Sequence, residues 1–137
     1  MALIHLDAGV LIGFLDADDA HHPRSRAVVE EALRSSDRLA MAASAFAECL
    51  VGPARRGDQA VGIVSVLRER LPIEIVAVDL TTAVAAARLR ARHRGLRLPD
   101  ALVLATASES HADRLVTTDR RWPSPSELGL PLLVETL

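Results

Sequence analysis

The sequence predicts an α/β fold: a three-layer α/β/α sandwich around a mostly parallel central sheet. Short β-rich runs alternate with helical stretches along the whole chain, the pattern of strands joined by helical crossovers. The first run, Leu3-Ile4-His5-Leu6, is apolar enough for a strand buried on both faces, as in a parallel sheet. At 137 residues, half hydrophobic and a quarter charged, the chain has the size and composition of one globular domain, so 1–137 is expected to form a single unit.

Each element has a local reason. Asp7 follows the first strand at once, and Ala8-Gly9 are expected to turn the backbone into a short helix ending near Leu15. Asp16 to Pro23 is a polar loop, and Pro23 suits the first turn of a helix running to about Arg34 with Ala27, Val28, Ala32 and Leu33 inward. Ser35-Ser36-Asp37 breaks it before a second buried strand, Leu39 to Ala42. Ser44 is a candidate N-cap for a helix over Ala45–Arg56, and Gly57-Asp58 divides that helix from one running to about Arg70.

Ile73 to Val78 is the clearest strand, being rich in β-branched residues. Asp79 to Arg94 follows as an amphipathic helix closed by Gly95, and Leu98-Pro99-Asp100 opens the next. Arg114 to Thr118 is a short strand ending at Asp119. Pro123-Ser124-Pro125 is a turn-rich connection, and Leu132 to Glu135 a last edge strand.

Composition excludes several functions. All 16 basic residues are Arg, so the phosphate-binding lysine of a P-loop and the amine of a Schiff-base enzyme are both missing. Aromatic residues make up 2% of the chain, too few for base-stacking platforms, and a single cysteine, Cys49, builds neither a disulfide nor a CxxC knuckle. A net charge of −2 forces neither a nucleic-acid nor a membrane reading. No stretch reaches transmembrane length and the N-terminus lacks the basic lead of a signal peptide, so a cytoplasmic location is expected.

Under this assignment Asp7, Glu48, Asp100 and Asp119 fall near one edge of the sheet. Open α/β sheets bind ligands at the carboxyl ends of their strands. Gathered carboxylates repel unless a cation neutralises them, and hard oxygen donors suit Mg²⁺ or Mn²⁺. Singly, each acid has a plainer role: Asp7 as a helix cap, Asp100 at a positive helix end, Asp119 in a turn, Glu48 on a solvated face. His5 is expected to be packed inside its strand and Cys49 to be a small buried residue.

Four segments carry a resemblance: Leu6-Asp7-Ala-Gly-Val-Leu-Ile12, Ala47-Glu48-Cys-Leu50, Leu98-Pro-Asp100-Ala-Leu-Val-Leu-Ala-Thr-Ala107 and Val116-Thr-Thr-Asp119. Together they resemble the acidic motifs of PIN-domain ribonucleases, and within them the VapC toxins of bacterial toxin–antitoxin pairs. The likeness spans the whole chain. It departs from the family where Ala8-Gly9 follows the first Asp in place of a hydroxyl residue.

The resemblance implies a Mg²⁺- or Mn²⁺-dependent endoribonuclease, with Asp7 and Asp100 as direct ligands and Asp119 and Glu48 completing the cluster directly or through water. Water as nucleophile would leave 5′-phosphate and 3′-hydroxyl ends. Thr117 matches the family's hydroxyl two positions before the last Asp and is expected to orient a carboxylate or a water. Arg120-Arg121 and Arg55-Arg56 are candidates for RNA phosphate contacts, while Arg88 to Arg97 suits a solvent face or an interface. A cognate VapB-type antitoxin and a homodimer are implied as partners.

The rivals are a catalytically inactive PIN-like binding module and an aspartate-based phosphatase. The latter places a second Asp two positions after the first, where this chain has Gly9.

Overall fold

The computed structural model describes all 137 residues. β1 (Leu3–Leu6), β2 (Arg38–Ala42), β3 (Ile73–Val76), β4 (Arg114–Thr117) and β5 (Leu133–Thr136) form one sheet in the order β3-β2-β1-β4-β5, parallel throughout. The sheet is therefore all-parallel rather than mostly so. The chain builds outward from β1 to β3, then returns to lay β4 on the opposite side of β1. With right-handed crossovers, that reversal puts the helices before and after it on opposite faces, which gives the three layers. It also makes the gap between the carboxyl ends of β1 and β4 the topological switch point.

The helices are α1 (Ala8–Leu15), α2 (His22–Arg34), α3 (Ala43–Arg56), α4 (Asp58–Arg70), α5 (Leu80–Arg92), α6 (Leu98–Glu109) and α7 (Pro125–Leu128). Of these α6 is the most deeply set, with Asp100, Ala101, Val103, Leu104, Ala105, Thr106 and Ala107 all buried. Its alanines let it pack closely along α5, whose Ala86 is also sealed. α4 is the opposite case, for none of its residues is buried.

Several local expectations shift. β2 runs straight into α3, leaving Ala42 as the N-cap with no side-chain bond and Ser44 inside the first turn. Gly57 is the N-cap of α4, placing Asp58 in the helix, where its charge favours the positive end. α5 ends at Arg92 with His93 as its C-cap, so Gly95 does not close it, and β3 stops at Val76. α2 turns Ser25, Val29 and Ala32 inward, leaving Ala27 and Leu33 exposed.

Gly9 is not a turn residue: it lies in α1, where an added Cβ would collide with Thr118 Oγ1. It is the place where α1 meets the end of β4. The Pro123–Pro125 connection opens the short helix α7, fixed by a capping box between Ser124 and Glu127.

Candidate active site

β1 delivers Asp7 to the switch point. The backbone amide of Asp7 continues the ladder by donating to Val116 O at 2.9 Å, so Asp7 sits beside the last residue of β4. One carboxylate oxygen accepts the Ala8 amide at 2.8 Å and caps α1; the other accepts the hydroxyl of Thr117 at 2.8 Å. Thr117 is sealed from solvent, and its Oγ1 also accepts the backbone amide of Asp119 at 3.0 Å. A single hydroxyl thus ties the acid after β1 to the acid after β4.

Asp100 enters from the first turn of α6, almost buried. Glu48 reaches the same end from α3, which packs against both α1 and α6, and is the exposed member of the group. The acids feel one another. Burial, partly offset by its two hydrogen bonds, pushes the Asp7 carboxyl above the usual range, and repulsion from Asp100 and Asp119 adds to the rise. Partial desolvation raises Glu48, and so does repulsion from Asp7 and Asp100. Asp119 goes the other way, held low chiefly by its bonds to Arg121.

The structure therefore gathers the expected acids at one edge. As the side chains stand, however, no three acid, histidine or cysteine groups enclose a point at ligating distance. Guanidinium groups balance the charge instead. Arg121 grips Asp119 through Nε at 3.1 Å and Nη2 at 3.0 Å. Arg97, the N-cap residue of α6, donates Nε to Asp100 Oδ2 at 3.1 Å and brings Nη2 to 3.9 Å from Asp119 Oδ2.

Of the other arginines singled out in the sequence, Arg120 is exposed beside Asp119. Arg55 and Arg56 lie at the exposed end of α3, with Arg56 on a groove lined by Ile12, Leu15, Val64 and Leu67. Arg97 belongs to the site and not to the solvent face of Arg88 to Arg94. The run of arginines hides it, because spacing alone does not show that Arg97, past the end of α5, turns to Asp100 and Asp119.

Cys49 and His5 fill packed positions. Burial pushes the thiol up to about 12, which leaves it inert as a nucleophile at neutral pH.

Fold and site together define an α/β protein with an acidic crevice at its topological switch point. A family model, PIN domain, matches residues 4–128. The chain belongs to the PIN domain family. Among solved structures it is similar to VapBC2 from Rickettsia felis bound to a promoter DNA fragment, with TM-score 0.71, 18% identity and 98% of each chain covered. It is also similar to VapC20 from Mycobacterium tuberculosis, a Sarcin-Ricin loop cleaving toxin, with TM-score 0.65, 19% identity and 82% of this chain and 86% of that chain covered. A DNA-bound VapBC from Salmonella typhimurium has TM-score 0.67 and 16% identity, covering 99% of this chain and 98% of that chain. No curated protein matches the sequence.

Proposed function

We propose that this protein is a metal-dependent endoribonuclease and the toxin of a toxin–antitoxin pair, hydrolysing RNA phosphodiester bonds in the cytoplasm. The observation that carries the reading is the Thr117 bridge, which ties Asp7 to Asp119 at the switch point of a PIN fold while Asp100 faces them from α6. The donor set fits a hard divalent cation: it is all carboxylate oxygen, and burial together with repulsion between the acids makes Asp7 and Glu48 both harder to ionise. Asp7 and Asp100 would hold Mg²⁺ or Mn²⁺, with Asp119 and Glu48 completing the set directly or through water. A cation there supplies acidity to a bound water and stabilises charge on the phosphate oxygens.

The chain's own residues do the rest. Thr117 aims one oxygen of Asp7, and Arg121 fixes Asp119 through a two-pronged guanidinium grip. Arg120 and, farther out, Arg55 and Arg56 offer exposed charge to RNA phosphates. No helix is long and apolar enough to cross a membrane. The groove between α1, α3 and α4, lined by Ile12, Leu15, Cys49, Pro53, Val64 and Leu67, suits the apolar side of an antitoxin segment. Ile63 and Val66 on the uncovered face of α4 suit a homodimer.

The test is RNA cleavage by the purified protein with Mg²⁺ or Mn²⁺, with product ends mapped and Asp7→Asn and Asp100→Asn as controls. Cleavage should leave 5′-phosphates, stop in chelator and fall at least about a hundredfold in both variants. Cleavage that persists in chelator, or equally in both variants, overturns the mechanism.

A further inference from the structure

We propose that Arg97 is the built-in counter-ion of the acidic crevice, and that its guanidinium exchanges with a divalent cation at Asp100 and Asp119. The inference rests on the reading of the crevice as a cation site and adds a residue to it.

Four observations converge on this side chain. Arg97 is the N-cap residue of α6 and makes no side-chain cap bond. That is the electropositive end of a helix, where a cation is disfavoured unless something offsets the helix field. The offset is visible: Nε lies 3.1 Å from Asp100 Oδ2 and Nη2 lies 3.9 Å from Asp119 Oδ2, so one guanidinium spans acids from two elements. The burial is lopsided. The Arg97 side chain is 63% exposed, while those of Asp100 and Asp119 are 13% and 16% exposed.

The guanidinium therefore reaches in from water over carboxylates that are largely shielded from it. It can return to water with little desolvation cost, whereas the acids stay behind and need another positive charge. Finally, Arg97 holds Oδ2 of Asp100 at 3.1 Å, whereas Oδ2 of Asp119 is held more closely by Arg121 Nη2 at 3.0 Å, so Asp100 is the acid that Arg97 chiefly occupies.

Arg121 plays a different part. It binds Asp119 alone, from two residues away, and its backbone amide joins the same carboxylate at 2.9 Å, so the grip is a closed local turn. Arg97 is the one that bridges.

The consequence is competition. Divalent cation must displace Arg97 before the acids can close on it, so this chain binds cation more weakly than its carboxylates alone would. The displaced guanidinium stays tethered at the rim of the crevice.

The experiment is Mn²⁺ binding by calorimetry and by the EPR signal of free Mn²⁺, in the full-length protein, Arg97→Ala, Arg97→Lys and Arg68→Ala. Arg68 carries the same charge on α4, remote from the acids. Arg97→Ala should bind Mn²⁺ about three- to tenfold more tightly, the size of one or two partly exposed ion pairs. Arg97→Lys should fall between it and the unaltered protein, since lysine keeps the charge but loses the fork, and Arg68→Ala should not change.

In the unaltered protein, the Arg97 Nε–Hε resonance should shift on titration with Mg²⁺. Unchanged or weaker Mn²⁺ binding in Arg97→Ala overturns the inference, as does a tightening matched by Arg68→Ala. The reading of the cation site fails separately, if the unaltered protein binds no Mn²⁺ or if Asp100→Asn binds it equally well; either result removes the inference with it.

Discussion

His5 offers the sharpest test of the packing beneath the site. It lies in the middle of β1, between Ala40 and Leu115 on the neighbouring strands, and is 1% exposed with no partner for either ring nitrogen. Burial drives its pKa down to about 4, against a smaller opposing pull from Glu74. The unfolded chain, with an ordinary histidine near 6.5, therefore binds more protons than the folded one between about pH 6.5 and pH 4. Stability is unaffected by His5 above that window, falls as pH drops through it, and levels off below it.

The drop from 6.5 to about 4 corresponds to about 3 kcal/mol, of which about 2.5 kcal/mol is lost by pH 4.5. The raised carboxylates act in the opposite sense, since protonation relieves first their burial as charges and then their repulsion. The quantity to measure is thus the difference between the protein and His5→Leu, by urea unfolding from pH 7.5 to 4.5. Leucine removes two unpaired buried polar atoms, so the variant should be more stable by about 1–3 kcal/mol at pH 7.5. That advantage should widen to about 3.5–5.5 kcal/mol at pH 4.5, adding the proton linkage. A pH-independent difference would show that His5 has a partner or a solvent path, and would refute the assignment.

Three further outcomes concern the crevice and its surroundings. Asp7→Asn removes a buried charge repelled by Asp100 and Asp119, so it should raise Tm by a few degrees at pH 7 while abolishing Mn²⁺-dependent cleavage, as read by calorimetry and an RNA assay. A drop in Tm would mean that the site is not strained by its own charge. Thr117→Val keeps the shape but strands the Asp119 amide and frees Asp7. It should cost about 1–3 kcal/mol in urea unfolding and more than tenfold in cleavage, with Thr117→Ser restoring most of both. Gly9→Ala puts a Cβ against Thr118 Oγ1 and should cost about 1–3 kcal/mol; Thr118→Ala in the same chain should recover much of that, and simple additivity would show that the contact is not the cause.

Much of the fold is legible in the sequence because parallel strands advertise themselves. Buried on both faces, they are short continuous apolar runs, and the residue just past such a run lies at the ligand-binding edge. That rule places Asp7 and Asp119, and the Pro99 helix start places Asp100. Residues that depend on how two elements meet are harder to read. Gly9 looks like a turn glycine until the end of β4 is laid against α1. The inner face of α2 is displaced because the helix starts at His22 and Ser25, a polar residue, faces inward. Ser44 has the character of a cap after a loop, but β2 needs no loop there. For α7 the signal exists, as Ser124 and Glu127 have capping-box spacing, but two prolines suggest only a turn.

Asp7 shows why a helix cap and a site acid need not be rival roles. A carboxylate has two oxygens, and here they are used separately. One satisfies an otherwise unpaired amide at the start of α1, and the other takes the Thr117 hydroxyl. The cap fixes the orientation of the acid, as a cap does in any helix. The hydroxyl comes from β4, so its bond can form only if β1 and β4 are neighbours, and Thr117 can accept the Asp119 amide only from that same position. The lack of a hydroxyl at Ala8 therefore leaves Asp7 supported, because the support comes from 110 residues away along the chain. Geometry at the crevice is thus coupled to the register of the two strands that meet at the switch point. A slip of one residue between them would turn Thr117 to the other face and release both acids at once.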